Sequence, residues 1–210
     1  GNGTTSIELD GKNTLTSGGT HAGLEKNDAE GTGNLVIRDD TKDGGSLKAT
    51  GGSEDYRGGA GIGSSSGNDT SHIEIAGGKV EAVGGQNAAG IGSGAGGGYG
   101  GGDAKQIKIG GGDVTAVGCG QGAGIGSSEW GSAEIEISGG KVSAEVVEDK
   151  KFECVDGAGI GGGSRSGDVS VKITGGTVNA KTEDRAAAIG GGYRADENLD
   201  ISISGEDTYV

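Results

Sequence analysis

The four residues Ala60-Gly61-Ile62-Gly63 return as Ala89-Gly90-Ile91-Gly92, Ala123-Gly124-Ile125-Gly126 and Ala158-Gly159-Ile160-Gly161. The variant Ala187-Ala188-Ile189-Gly190 closes the series, and Ala22-Gly23-Leu24 opens it. The isoleucines are spaced by 29, 34, 35 and 29 residues. Self-similarity at such a period marks a stacked architecture in which each repeat is one structural unit. The register also argues against disorder. Acidic, glycine-rich chains often stay unfolded, but an unfolded chain has no need to keep apolar residues in phase.

Each repeat holds two further elements. One is a short alternating run: Ile73-Glu74-Ile75, Ile107-Lys108-Ile109, Ile135-Glu136-Ile137, Val171-Lys172-Ile173 and Ile201-Ser202-Ile203. The other follows a glycine pair: Val80-Glu81-Ala82, Val114-Thr115-Ala116, Val142-Ser143-Ala144 and Val178-Asn179-Ala180. A period of two over a few residues is the mark of a strand. Glycine, 53 of the 210 residues, recurs too often for helices over most of the chain. Each repeat therefore reads as three short strands. A glycine corner such as Gly77-Gly78 or Gly139-Gly140 joins the first two, where positive φ carries no steric cost. The second corner varies in length, from Gly84–Asn87 to Glu145–Asp156, and the third is rich in Ser and Gly.

Three strands in unvarying order predict an all-β, right-handed parallel β-helix, a solenoid of about six to seven rungs in one domain spanning 1–210. Residues 1–58 form irregular N-terminal rungs and 59–210 the regular repeats. Ile, Val and Ala point inward and stack rung on rung, because one rung cannot bury its own apolar face. At ~4.8 Å between strands, six rungs make a stack about 30 Å long. The first rungs are read as Ile7/Leu15/Leu24 and Ile37/Leu47/Ile62. The outward row between the paired apolar residues reads Glu8, Val36, Glu74, Lys108, Glu136, Lys172, Ser202. Its alternating signs suit stacked neighbours, where opposite charges help and like charges hurt. If Ala60 and Ile62 face in, Gly61 and Gly63 face out. The equivalent glycines then predict a bare strip on which another chain can pack.

The formal net charge is −14, from 31 acidic and 17 basic residues. Such a balance disfavours nucleic acid, which needs a basic stripe. No run of 18 apolar residues exists, so membrane insertion by a helix is not expected. The absence of methionine suggests a mature fragment or a piece of something longer.

Cys119 and Cys154 are the only cysteines, each six residues before its isoleucine. Equivalent positions on adjacent rungs lie near 5 Å apart, within disulfide reach. The reading is a disulfide, with a stacked pair of free thiols as its alternative. A disulfide suits an extracellular setting. His21 and His72 are isolated, so no metal site is assigned. Asp69, Asp103, Asp168 and Asn198 recur just before the first strand, as turn residues do. No cofactor is implied. Ca²⁺ on such stacked turns is the one ion their oxygens would suit, although no calcium-loop spacing is present. Tyr99, Trp130 and Tyr193 all fall in third-corner loops, on one side of the stack. They are the candidate ligand-binding residues. No catalytic residue is assigned.

The repeated Ile-x-Ile-x-Gly-Gly-x-Val-x-Ala followed by Ala-Gly-Ile-Gly, in 73–92, 107–126, 135–161, 171–190 and 201–205, resembles a repeat of large secreted or wall-attached proteins of Gram-positive bacteria. It is also similar to parallel β-helix modules that bind carbohydrate. The resemblance implies a non-catalytic extracellular module at the cell surface or wall, an adhesin or stalk segment whose partner is a polysaccharide or cell-surface glycoprotein. The rival is a polysaccharide lyase or glycoside hydrolase on the same scaffold. A glycosidase needs two carboxylates flanking the scissile bond, and the paired charges on these strands favour the non-catalytic reading.

Overall fold

The computed structural model describes residues 2–28, 33–41, 44–98, 100–149, 154–195, 198–206 and 208–210. The alternating runs form one parallel sheet of seven strands, from Thr4–Glu8 through Asn34–Arg38, Thr70–Ile75, Ala104–Ile109, Ala133–Ile137 and Val169–Ile173 to Leu199–Ile203. The runs after the glycine corner form a second, from Lys12–Thr16 through Ser46–Thr50, Lys79–Val83, Asp113–Cys119, Lys141–Val147 and Gly176–Lys181 to Thr208–Tyr209. The third sheet has six strands: Leu24–Glu25, Ile62–Ser66, Ile91–Gly94, Ile125–Gly126, Ile160–Gly161 and Ile189–Gly190. The chain is thus a right-handed parallel β-helix of six turns and a partial seventh. The irregular first two rungs join the same three sheets. A small antiparallel hairpin, Ser53–Glu54 with Arg57–Gly58, stands off the second corner of the second rung.

The isoleucines stack as expected: Leu24, Ile62, Ile91, Ile125, Ile160 and Ile189 are consecutive partners in register. Ala49, Ala82, Ala116 and Ala144 form a fully buried column in the second sheet. Small residues there keep the interior narrow, and a larger one would overpack it. The row Val36, Glu74, Lys108, Glu136, Lys172, Ser202 also holds. Lys172 Nζ lies 3.2 Å from Glu136 Oε1.

The first rung departs from its expected register. Glu8 pairs with Arg38, not Val36, and an Arg38 Nε to Glu8 Oε2 contact of 3.2 Å ties them. Leu15 lies beside Ala49 rather than Leu47. Asn13 takes the place beside Leu47, so Leu15 falls two residues further on, in the alanine column. Leu9 is buried at the first corner, against Gly45 and Gly78. Leu15 is left 37% exposed.

The glycine strip is not bare. Gly61, Gly63 and their counterparts in the next three rungs are all buried. A methyl at Gly63, Gly92 or Gly126 would run into the carbonyl oxygen of the glycine above it. These residues also hold φ between +134° and +138°, which an L side chain rarely adopts. The chain itself fills the face that was expected to admit a second chain.

Candidate functional site

The site begins with the bend that each Ile-Gly strand makes. The N–H of Ala60, Ala89 and Ala123 donates to the carbonyl four residues on, Ser64, Ser93 and Ser127, at 2.9, 3.1 and 3.0 Å. Those serines are fully buried. Their hydroxyls accept the N–H of Gly94, Ser128 and Gly163 in the next rung, at 3.0, 2.8 and 3.2 Å. This ladder satisfies backbone groups that would otherwise be costly to bury. It also fixes the direction in which the third-corner loops leave the stack.

Five residues after the isoleucine, three of these loops place a left-handed residue: Trp130 (φ 67°), Arg165 (φ 52°) and Arg194 (φ 56°). Backbone bonds stack them, Trp130 N–H to the Ser164 carbonyl at 3.0 Å and Arg165 N–H to the Tyr193 carbonyl at 2.7 Å. The Arg165 guanidinium lies 5.4 Å from the Trp130 ring centre, a cation–π distance. The indole remains 53% exposed. One position earlier sit Glu129, Ser164 and Tyr193. Glu129 is buried, and its Oε1 accepts from Arg165 Nη1 at 2.7 Å. Tyr193 has Arg185 and Arg194 at 4.2 and 5.0 Å from its ring centre.

A cleft of about 440 Å³ opens beside this column, between the second and third corners. Tyr56, Asn87, Gln121, Glu129 and Cys154 line it, with the Gly97–Gly98 backbone. Asn87, in the left-handed region at φ 59°, is held in place. Its Oδ1 accepts from the Gln121 N–H at 3.3 Å and its Nδ2 donates to the Tyr56 carbonyl at 3.4 Å. Beyond Cys154, buried Asp156 faces Arg185 at 2.8 Å. Burial raises the Asp156 carboxyl above its ordinary value, against the pull of Arg185.

The structure places Trp130 and Tyr193 on the expected side of the stack, two rungs apart and each against an arginine. Tyr99 lies outside the described residues. The expected disulfide is not formed, and Cys119 and Cys154 are both free thiols. The ladder pairs Cys119 with Val147. Cys154, seven residues on from Val147, bridges antiparallel to Asp149 instead. Counting back from the isoleucines passed over that insertion. Burial pushes the Cys154 thiol up to about 11 and also raises Cys119, to which the Asp149 carboxylate adds. Thiols are nucleophiles and metal ligands as thiolates, so burial disfavours that chemistry at both cysteines.

The recurring aspartates are explained locally. Asp69 Oδ1 accepts the Asp103 N–H and Asp103 Oδ1 the Ser132 N–H, each at 2.8 Å. Asn198 Nδ2 donates to Asp168 Oδ1 at 3.1 Å. Among the described residues, no group of three or more His, Cys, Asp or Glu side chains is placed to hold a metal ion. His21 makes a 2.9 Å contact with Glu25, and His72 lies against Ser71. The cluster can stack rings and offer hydrogen bonds. Its two buried carboxylates, Glu129 and Asp156, are each engaged by a guanidinium. Sequence reading missed Glu129, Arg165, Arg185, Asn87 and Gln121. The usable signal was departure from the repeat, since Glu129-Trp130 stands where the next rung has Ser164-Arg165.

A family model described as a beta helix repeat matches residues 43–66, 107–129, 135–164 and 171–193. Those segments carry the same strands that the three sheets stack. The chain is a parallel β-helix repeat module. Neither the curated proteins nor the solved structures returned a match. The third-corner cluster of this β-helix module is therefore interpreted from its own chemistry. No helix among the described residues is long and apolar enough to cross a membrane.

Proposed function

We propose that this β-helix module is a non-catalytic, extracellular surface module that binds a polysaccharide or glycoprotein glycan at the third-corner loops. The observation that carries this reading is the half-exposed Trp130 indole, braced by Arg165 beside a 440 Å³ cleft with amide and carboxylate groups in its wall. An aromatic face with a few fixed polar groups is what a sugar ring needs, apolar on one side and hydroxyl-bearing at its edge. The rigid ladder beneath the loops holds these groups without further ordering on binding. Similarity to β-helix carbohydrate-binding domains points the same way. Single-site affinity is expected to be modest and to grow with the number of modules in one protein.

A second reading keeps a polysaccharide lyase or hydrolase on this scaffold. It is favoured only by the raised Asp156 carboxyl, since one carboxyl of a glycosidase pair serves as the general acid. The deciding experiment is a polysaccharide panel followed for binding by calorimetry and for release of reducing or unsaturated ends. Binding without product, lost in Trp130→Ala, supports the module. Steady product release moves the protein to the enzyme class. Binding unchanged after Trp130→Ala with Tyr193→Ala leaves the loops without a role.

A further inference from the structure

Resting on the glycan-binding reading above, we infer that the cleft takes an uncharged pyranose and rejects acidic sugars, with Glu129 as the residue that decides. The cleft wall formed by Tyr56, Asn87, Gln121, Glu129 and Cys154 contains one charged side chain, and it is a carboxylate. Glu129 exposes only 10% of that side chain. Arg165 donates to its Oε1 at 2.7 Å. A carboxylate has acceptor sites on both oxygens, more than one guanidinium N–H fills. A sugar offers further donors as neighbouring hydroxyls. The Gln121 side-chain amide has no partner among the described residues, and it supplies both a donor and an acceptor. The cleft thus presents acceptor-rich groups to a donor-rich ligand.

A uronate would bring its own carboxylate against Glu129. Like charges in a partly desolvated site repel strongly, and a formal net charge of −14 opposes the approach of any polyanion. Arg165, 2.7 Å from Glu129, weakens this repulsion, but it stands outside the cleft wall and is already paired with Glu129 and the Trp130 ring, so it gives a uronate no bidentate partner there. Arg185 is committed in the same way to Asp156 and Tyr193.

The test is calorimetry on the full chain with matched oligosaccharides, neutral (glucan, mannan, galactan) and acidic (oligogalacturonate), at low and physiological salt. A neutral series should bind and the acidic series should not. Glu129→Gln keeps the side-chain volume but removes the charged acceptor, and should weaken neutral binding by about tenfold to a hundredfold. Because that variant also removes the partner of Arg165, Gln121→Ala serves as the second variant. It leaves the Glu129–Arg165 pair intact and should weaken binding several-fold. Oligogalacturonate binding as tight as the neutral series, or affinity unmoved in both variants, overturns this inference and leaves the glycan-binding reading standing. Failure of every neutral and acidic glycan to bind overturns both.

Discussion

The corner between the first and second sheets and the corner after the third sheet rest on the same ladder but are built differently. At the first, Gly78, Gly112, Gly140 and Gly176 repeat one conformation, with φ between 84° and 89°. Each is followed by the same rung-to-rung bond, from Lys79, Asp113, Lys141 and Thr177 N–H at 2.8–3.0 Å. At the third, Gly67 holds the left-handed position in one rung, whereas Trp130, Arg165 and Arg194 hold it in three others. A side chain in that region costs about 1–3 kcal/mol and persists only where the surroundings impose it. Where every rung repeats the same turn, glycine makes it without strain. Where the rungs differ, strained side chains are kept and projected outward, against one another and beside a cleft. The repeat maintains the stack, and departures from it make the site.

Mutations can separate the two. The largest effect is expected in the core that both corners share. Ile125→Ala, mid-stack and fully buried, should lose about 2–5 kcal/mol in urea unfolding. Ile201→Ala at the open last rung, 37% exposed, should lose clearly less. Equal losses would show that the rungs do not stack as described.

Gly140→Ala comes next. It forces a methyl into the left-handed region and against the Gly111 and Gly112 backbone, with an expected loss of about 1–3 kcal/mol. The mirror experiment is Trp130→Gly. Relief of strain and the added freedom of the unfolded chain oppose each other, so stability should move by under about 1 kcal/mol while glycan binding is lost. A large destabilisation by Trp130→Gly would make the third corner structural, like the first.

The thiols give a smaller, pH-dependent effect. The folded Cys154 value of about 11 lies above its ordinary 9.0. The unfolded chain therefore loses its proton first as pH rises. The stability linked to the neutral thiol is complete below about pH 9 and falls as pH climbs towards about 11. Cys154→Ser should flatten the alkaline limb of the stability curve. Rapid labelling of native Cys154 by iodoacetamide at pH 7 would contradict its burial.

The smallest effect belongs to the surface rows. Glu136→Lys sets like charges beside Lys108 and Lys172 in register and should cost a few tenths to about 1 kcal/mol, less at high salt. No salt dependence would mean that the row contributes nothing.

The sequence alone determined what repeats: the three-strand order, the isoleucine stack, the alanine column and the charge row from Val36 onward. Each rests on local periodicity, and a fixed side-chain period admits one register once a face is buried. Trp130 and Tyr193 could be assigned to the third corner for the same reason, because their loops leave after a recognisable strand. Only the tertiary structure decided what breaks the period. Leu15 falls in the alanine column because Asn13 takes the place beside Leu47. Cys154 misses the Cys119 register because an insertion changes which residues face each other across a ladder. Gly63 and Gly92 are covered because the neighbouring rung's own backbone comes too close for any side chain. The cleft joins Tyr56, Asn87, Gln121 and Glu129 from different rungs, so their meeting depends on how loops of unequal length fold over the stack. Side-chain contacts between loops follow from packing, and no spacing along the chain encodes them.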